Sequence, residues 1–141
     1  MGNVLSMAIS KLNYEDIQFV INSNSTLLVN TLNGNKQDCL IRGSLPADQE
    51  VDQLNKFLKS RNTDVRIIVY GENSCDDSII KKYKQLTSLG FCNVHVYVGG
   101  LFEWLLLQDI YGDELFPTTK KENDILKFKG KKVLELRLIE N

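Results

Sequence analysis

Residues 65–70, Val-Arg-Ile-Ile-Val-Tyr, followed by Gly71-Glu72-Asn73-Ser74-Cys75-Asp76-Asp77-Ser78, decide how this chain is read. The run from Val65 to Tyr70 is almost uniformly apolar and β-branched, the pattern of a strand covered on both faces. It is the most uniformly apolar strand candidate in the chain, so it is expected at the centre of a sheet. Ligands of open α/β sheets gather beyond the carboxyl ends of the strands. The loop that leaves Tyr70 at Gly71 is therefore the first place to look for a site.

Working outward, residues 26–32 (Thr-Leu-Leu-Val-Asn-Thr-Leu) and 93–98 (Asn-Val-His-Val-Tyr-Val, stopped by Gly99-Gly100) read as two further strands. Helical periodicity fills the intervals. Asn13 can cap a helix carrying Tyr14, Ile17, Val20 and Ile21 on one side. Asp48 can cap a second, with Val51, Leu54, Phe57 and Leu58 inward. Residues 77–89 place Ile79, Ile80, Tyr83, Leu86 and Leu89 at helical spacing before a Gly90 stop. Residues 101–111, with Phe102, Trp104, Leu105, Leu106 and Ile110, are apolar nearly all round, as in a helix that packs deep or meets a partner. Alternating strands and helices predict an α/β fold: a mainly parallel sheet between two helical layers, α/β/α.

The character changes after Pro117. Residues 118–124 read as an exposed connector. Two apolar-alternating stretches, Ile125 to Phe128 and Val133 to Ile139, flank Lys129-Gly130-Lys131-Lys132 and read as a hairpin, with a short helix as the alternative. The expected division is a domain over 1–117 and a C-terminal extension over 118–141.

Composition narrows the function classes. The 141 residues suit one core, and a formal net charge of -1 supplies no field toward nucleic acid, which is not expected as a partner. The three cysteines, Cys39, Cys75 and Cys92, form no CxxC pair and have only His95 as a further soft ligand, so neither a metal site nor a cofactor is expected. Cys39 and Cys92 read as small buried apolar residues, His95 as a satisfied strand histidine, and Trp104 and Phe102 as core fillers. The odd cysteine count and the lack of a secretory signal fit a reducing, cytoplasmic setting. No run approaches the roughly 20 apolar residues of a membrane span.

The ordered set over 66–104 resembles the rhodanese family: an apolar strand ending in Tyr70, a short loop, and a helix closing with Leu89-Gly90-Phe91. An Asn93-Val94 strand then runs into Gly99-Gly100 and a helix bearing Trp104. Leu40-Ile41-Arg42-Gly43-Ser44-Leu45 resembles the family's His-Ile-Pro-Gly-Ala-Ile segment, and the likeness spans roughly residues 8–112. It implies a rhodanese-like three-layer domain whose loop cradles an anion and whose nucleophile is the cysteine directly after the strand. Here that position is Gly71, which cannot carry a persulfide. Asn30 and Leu32 stand where the family has Asp and Arg. Glu72, Asp76 and Asp77 replace basic loop residues, and their charge opposes an anionic donor by about 1 kcal/mol each. The five-residue Cys-to-Arg spacing of the phosphatase relatives is missing, because the loop holds no arginine.

Three functions follow as expectations. The first is a catalytically inactive rhodanese-like module that binds a protein partner. The second is a divergent sulfurtransferase or thiol-redox enzyme using Cys75, whose thiolate the loop amides and the helix start at Asp77 and Ser78 would favour while Asp76 would oppose it. The third is a structural subunit that self-assembles through residues 101–111 and the C-terminal hairpin. In addition, Met1-Gly2-Asn3-Val4-Leu5-Ser6 fits the N-myristoylation pattern at Gly2, which adds peripheral membrane attachment as a prospect. One acyl chain binds only reversibly, so Lys120, Lys121, Lys127, Lys129, Lys131 and Lys132 would have to share its face to help.

Overall fold

A computed structural model describes residues 9–134. Its elements in chain order are β1 (Ser10–Leu12), α1 (Tyr14–Val20), β2 (Thr26–Asn30), β3 (Ser44–Leu45), α2 (Glu50–Lys59), β4 (Arg66–Tyr70), α3 (Ser78–Ser88), β5 (Val94–Tyr97) and α4 (Gly100–Tyr111). Short 3-10 turns lie at Gly34–Lys36, Ala47–Gln49 and Ile125–Phe128. The five strands form one sheet in the order β1-β5-β4-β2-β3, and every pairing is parallel.

β4 is the central strand, as its apolar run predicts. Side chains alternate across a strand, and β4 distributes its four apolar residues accordingly. Ile68 and Tyr70 join Ile17, Val20, Leu101, Trp104 and Leu105 on one side. Ile67 and Val69 join Leu54, Ile79 and Leu86 on the other. The sheet is thus sandwiched between α1 and α4 on one face and α2 and α3 on the other, the expected three layers.

Local chemistry sets most boundaries. Asn13 Oδ1 accepts from the N–H groups of Glu15 and Asp16, while the Asp16 carboxylate accepts from the Asn13 N–H at 3.0 Å, closing a capping box on α1. β2 ends two residues earlier than its sequence indicates. Asn30 Oδ1 turns back to accept from the Leu32 N–H at 3.1 Å and competes with the ladder. Gln37 locks that corner: its amide donates to Asn30 Oδ1 at 2.8 Å and to the Leu32 carbonyl at 3.0 Å. Gly90, at φ 109, ends the α3 segment in a backbone region closed to most other residues.

Several expectations are corrected. Asp48 caps nothing; it lies within the 3-10 turn that follows Pro46, whose ring fixes φ at -61 and starts a tighter helix. The sequence gives no sign of β1 and β3, which are too short to show a period and exist by pairing with β5 and β2. The first arm of the expected hairpin is the 3-10 turn Ile125–Phe128. Ile125 and Phe128, three residues apart, share its inner side, and both pack on the α1/α4 core. Most of the second arm lies outside the described residues. Cys39 is buried as expected, but Cys92 is exposed because Phe91 takes the inward position beside it.

Two core aromatics carry polar ends that tie distant segments. Trp104 is fully buried, stacks edge-on to Phe116 and Tyr97, and donates from Nε1 to the Pro117 carbonyl at 3.1 Å. The Tyr70 hydroxyl lies 2.6 Å from Ser44 Oγ and accepts from the Ile41 N–H at 3.2 Å. Burial first of all holds that phenol far above its ordinary titration range, so it stays neutral. Tyr70→Phe is expected to strand the buried Ile41 N–H and lower unfolding free energy by about 1–3 kcal/mol, measurable by urea denaturation.

Candidate active-site loop

β2 and β4 lie side by side, and the chain continues from them to opposite edges of the sheet, so a crevice forms at their carboxyl ends. Thr31 closes its floor, donating from its N–H to the Tyr70 carbonyl at 3.0 Å. The loop Gly71–Asp77 rises from the adjacent strand.

The loop is built around one carboxylate. Asp76 Oδ2 accepts from the Glu72 N–H at 3.0 Å. Its Oδ1 accepts from the Ser78 N–H at 3.0 Å and the Ser78 hydroxyl at 2.6 Å. Ser78 Oγ also lies 2.7 Å from Thr31 Oγ1, which links the loop to the end of β2. Burial would push the Asp76 carboxyl up. The Ser78 hydroxyl, the two backbone N–H groups and the Lys36 charge outweigh it and hold the carboxyl below its ordinary value.

Gly71 makes this arrangement possible. A Cβ at residue 71 would stand 2.5 Å from Asp76 Oδ2 and 3.0 Å from Ile79 Cγ2. The Asp76 carboxylate thus lies against the site a nucleophile's side chain would need. Sequence reading treats Asp76 only as a charge that repels anions. Its occupancy of the cradle depends on the loop's path and has no local sequence signal.

Other loop donors and acceptors are also engaged within the chain. At Gly100, φ is +71, and a Cβ there would meet the Gly71 carbonyl oxygen at 2.8 Å and the Asn73 nitrogen at 2.9 Å, so the loop rests directly on the start of α4. The first N–H groups of α4, otherwise open to a ligand, donate instead to the loop: Leu101 to the Gly71 carbonyl at 2.9 Å and Phe102 to the Glu72 carbonyl at 2.8 Å. Asn73 Oδ1 accepts from the Cys75 N–H at 2.9 Å, and Ser74 and Asp77 are exposed.

Cys75 is exposed, and its sulfur faces the C-terminal segment near Gly130 rather than the ring of donors around Asp76. A cavity of about 450 Å³ is lined by Glu72, Asn73, Cys75, Asp76 and Asp77 of the loop together with Lys129, Gly130, Lys131 and Val133. Glu72 pairs with Lys36 at 3.0 Å. Sequence reading does not single out Lys36, Asn73's second role or Phe128. The Asn73 amide donates to the Phe128 carbonyl at 2.8 Å, and Lys36 Nζ stands 5.8 Å from the Phe128 ring centroid.

His95 is satisfied on both ring nitrogens, by Ser10 Oγ and Asn93 Oδ1, each at 2.7 Å. Burial first, then the Arg66 charge, lower its pKa. Among the described residues no three His, Cys, Asp or Glu side chains group in a way that could hold a metal ion, and no helix is long and apolar enough to cross a membrane. Gly2 lies outside the described residues.

Comparison with known proteins agrees with this fold. A model of the rhodanese-like domain family matches residues 24–107. Among solved structures, the Alr3790 protein from Anabaena sp. superposes with a TM-score of 0.56 at 21% identity, over 82% of this chain and 86% of that one. The Saccharomyces cerevisiae single-domain sulfurtransferase RDL2 gives 0.53 at 17% identity, over 78% and 97%. A thiosulfate sulfurtransferase from Pseudomonas aeruginosa gives 0.54 at 19% identity, over 72% of this chain but 20% of that one. No curated protein sequence matches. At these identities the structures speak for the fold alone, while the family match covers more than half of the chain: this protein belongs to the rhodanese-like domain family.

Proposed function

We propose that this rhodanese-like domain does not transfer sulfur by its family's route and works as a protein-binding or regulatory module. One observation carries the reading. The residue directly after β4 is glycine, and the Asp76 carboxylate stands 2.5 Å from where its side chain would begin. A persulfide needs a sulfur atom at that point and free amides around it. The loop instead presents a fixed negative charge to any thiosulfate that approaches.

A second reading rests on Cys75, an exposed thiol in the same loop. As a divergent sulfurtransferase or redox centre it would have to react without the donors that Asp76 engages. A structural role in assembly is the third, and Leu106, Ile110 and Tyr111 on α4 are exposed apolar side chains available for it. Membrane attachment through an acylated Gly2 is a separate proposal, supported by the N-terminal pattern. Co-expression with an N-myristoyltransferase tests it, since intact mass must rise by one myristoyl group in the wild type and not in Gly2→Ala.

Purified protein is expected to show thiosulfate–cyanide sulfurtransferase activity no higher than a no-protein blank, and no persulfide on mass spectrometry after thiosulfate. Turnover, or a persulfide on Cys75 that disappears in Cys75→Ser, would overturn the inactive reading in favour of the second.

Asp76 also gives a pH signature. Its folded-state carboxyl titrates below its unfolded value, so its stabilisation is complete above about pH 5 and is lost as pH falls through the folded value. Asp76→Asn keeps the shape but loses the charge, and is expected to cost about 1–3 kcal/mol near neutrality. In urea titrations the gap between Asp76→Asn and wild type must narrow below about pH 4. A gap constant with pH would show that the carboxylate charge contributes nothing.

A further inference from the structure

The chain beyond α4 returns across the carboxyl end of the sheet and covers the loop. It first pairs with residues 38–42. The Arg42 N–H donates to the Pro117 carbonyl and the Thr119 N–H to the Leu40 carbonyl, and Ile41 and Thr118 form an antiparallel bridge. Of residues 118–134, Phe128 alone is buried. Its ring, 1% exposed, belongs to the core cluster that holds Leu32, Leu40, Ile41 and Leu101. Its carbonyl accepts from Asn73, and Lys36 and Lys127 stand 5.8 and 5.3 Å from its ring centroid. The surrounding charges are complementary: Glu72, Asp76 and Asp77 on the loop wall of the cavity, Lys129 and Lys131 on the segment's wall.

This segment lies outside residues 24–107, the part matched to the family. A segment held by one buried side chain, the half-buried Ile125 beside it and a few hydrogen bonds belongs to the low-stability end of a fold, able to open without the sheet. We propose that residues 118–130 form a releasable strap that occupies the loop face as an internal ligand. Displacing it hands that face to a partner segment of the same chemistry, an aromatic side chain flanked by lysine or arginine. The proposal rests on the loop face being a docking surface.

Cys39 reports on the strap directly. It is 3% exposed, its thiol donates to the Lys120 carbonyl at 3.2 Å, and burial first of all raises its pKa. Cys75 and Cys92 are already exposed. In native protein treated with a thiol reagent, peptide mass spectrometry separates the three. Cys39 is expected to react through an opening whose urea dependence is less than about half that of global unfolding. Reaction only with the full urea dependence of unfolding would overturn the strap.

Full-length Phe128→Ala is expected to label at Cys39 on the order of 100-fold faster, with its far-UV circular dichroism unchanged. A synthetic peptide of residues 118–130, which carries both Lys120 and Phe128, added to that variant must slow labelling about tenfold, while the same peptide with alanine for Phe128 must not. Equal effects of the two peptides, or none, would overturn the partner chemistry. Should Phe128→Ala not fold, the peptide arm is run on full-length Asn73→Ala, which loses the bond to the Phe128 carbonyl together with the local one from the Cys75 N–H, and is expected to label several-fold faster. Failure of these arms would leave the inactive reading intact, and sulfur transfer would leave the Cys39 measurements standing.

Discussion

Every feature of this domain is organised by a strand with no solvent-facing side. β4 pairs with β2 and with β5, and its residues Ile67 to Tyr70 are fully buried. Such a strand has to be apolar on both faces, requires helices above and below, and can leave the sheet only at its ends. The carboxyl end is the consequential one. There Tyr70 projects its hydroxyl through the core to Ser44 and Ile41, pinning the segment between β2 and β3. The next residue begins the loop. A single strand thereby fixes both the core and the place where chemistry in this fold would occur.

At that place the chain has exchanged one internal order for another. A loop of amides at a helix start favours negative charge. Here the charge comes from Asp76, two residues before the amide of Ser78 that it engages, and the absence of a side chain at Gly71 leaves it room. The Ser78 hydroxyl then connects this carboxylate to Thr31, so the end of β2 and the loop after β4 are tied through a half-buried polar link. A network of this kind, when each member is satisfied, rigidifies the region it crosses.

Long periodic segments of this chain are legible from sequence, and so is the order in which they occur. The central position of Val65–Tyr70, the α1 cap at Asn13 and the glycine after α3 all follow from residue types whose local physics is decisive. The substitution of glycine at the nucleophile position is legible as well, through the family resemblance. What escapes is whatever depends on a contact distant in sequence. β3 is two residues long and exists only beside β2. Phe128 looks like one arm of an alternating strand, yet it becomes the anchor of a 3-10 turn because the space it fills is made by residues nearly a hundred positions earlier. Asp76 presents the same difficulty: its charge can be read, but where the carboxylate lies depends on Gly71, Glu72 and Ser78 together.

The two margins of the sheet are unequal to the task of recruiting another chain through main-chain pairing. β1 offers three residues and β3 two. An open edge invites intermolecular ladder growth in proportion to its length and flatness, and margins this brief provide too few unpaired amides to seed it. Among the described residues the brevity of these strands therefore limits such growth, and the exposed Lys11 in the middle of β1 adds a charge to that border.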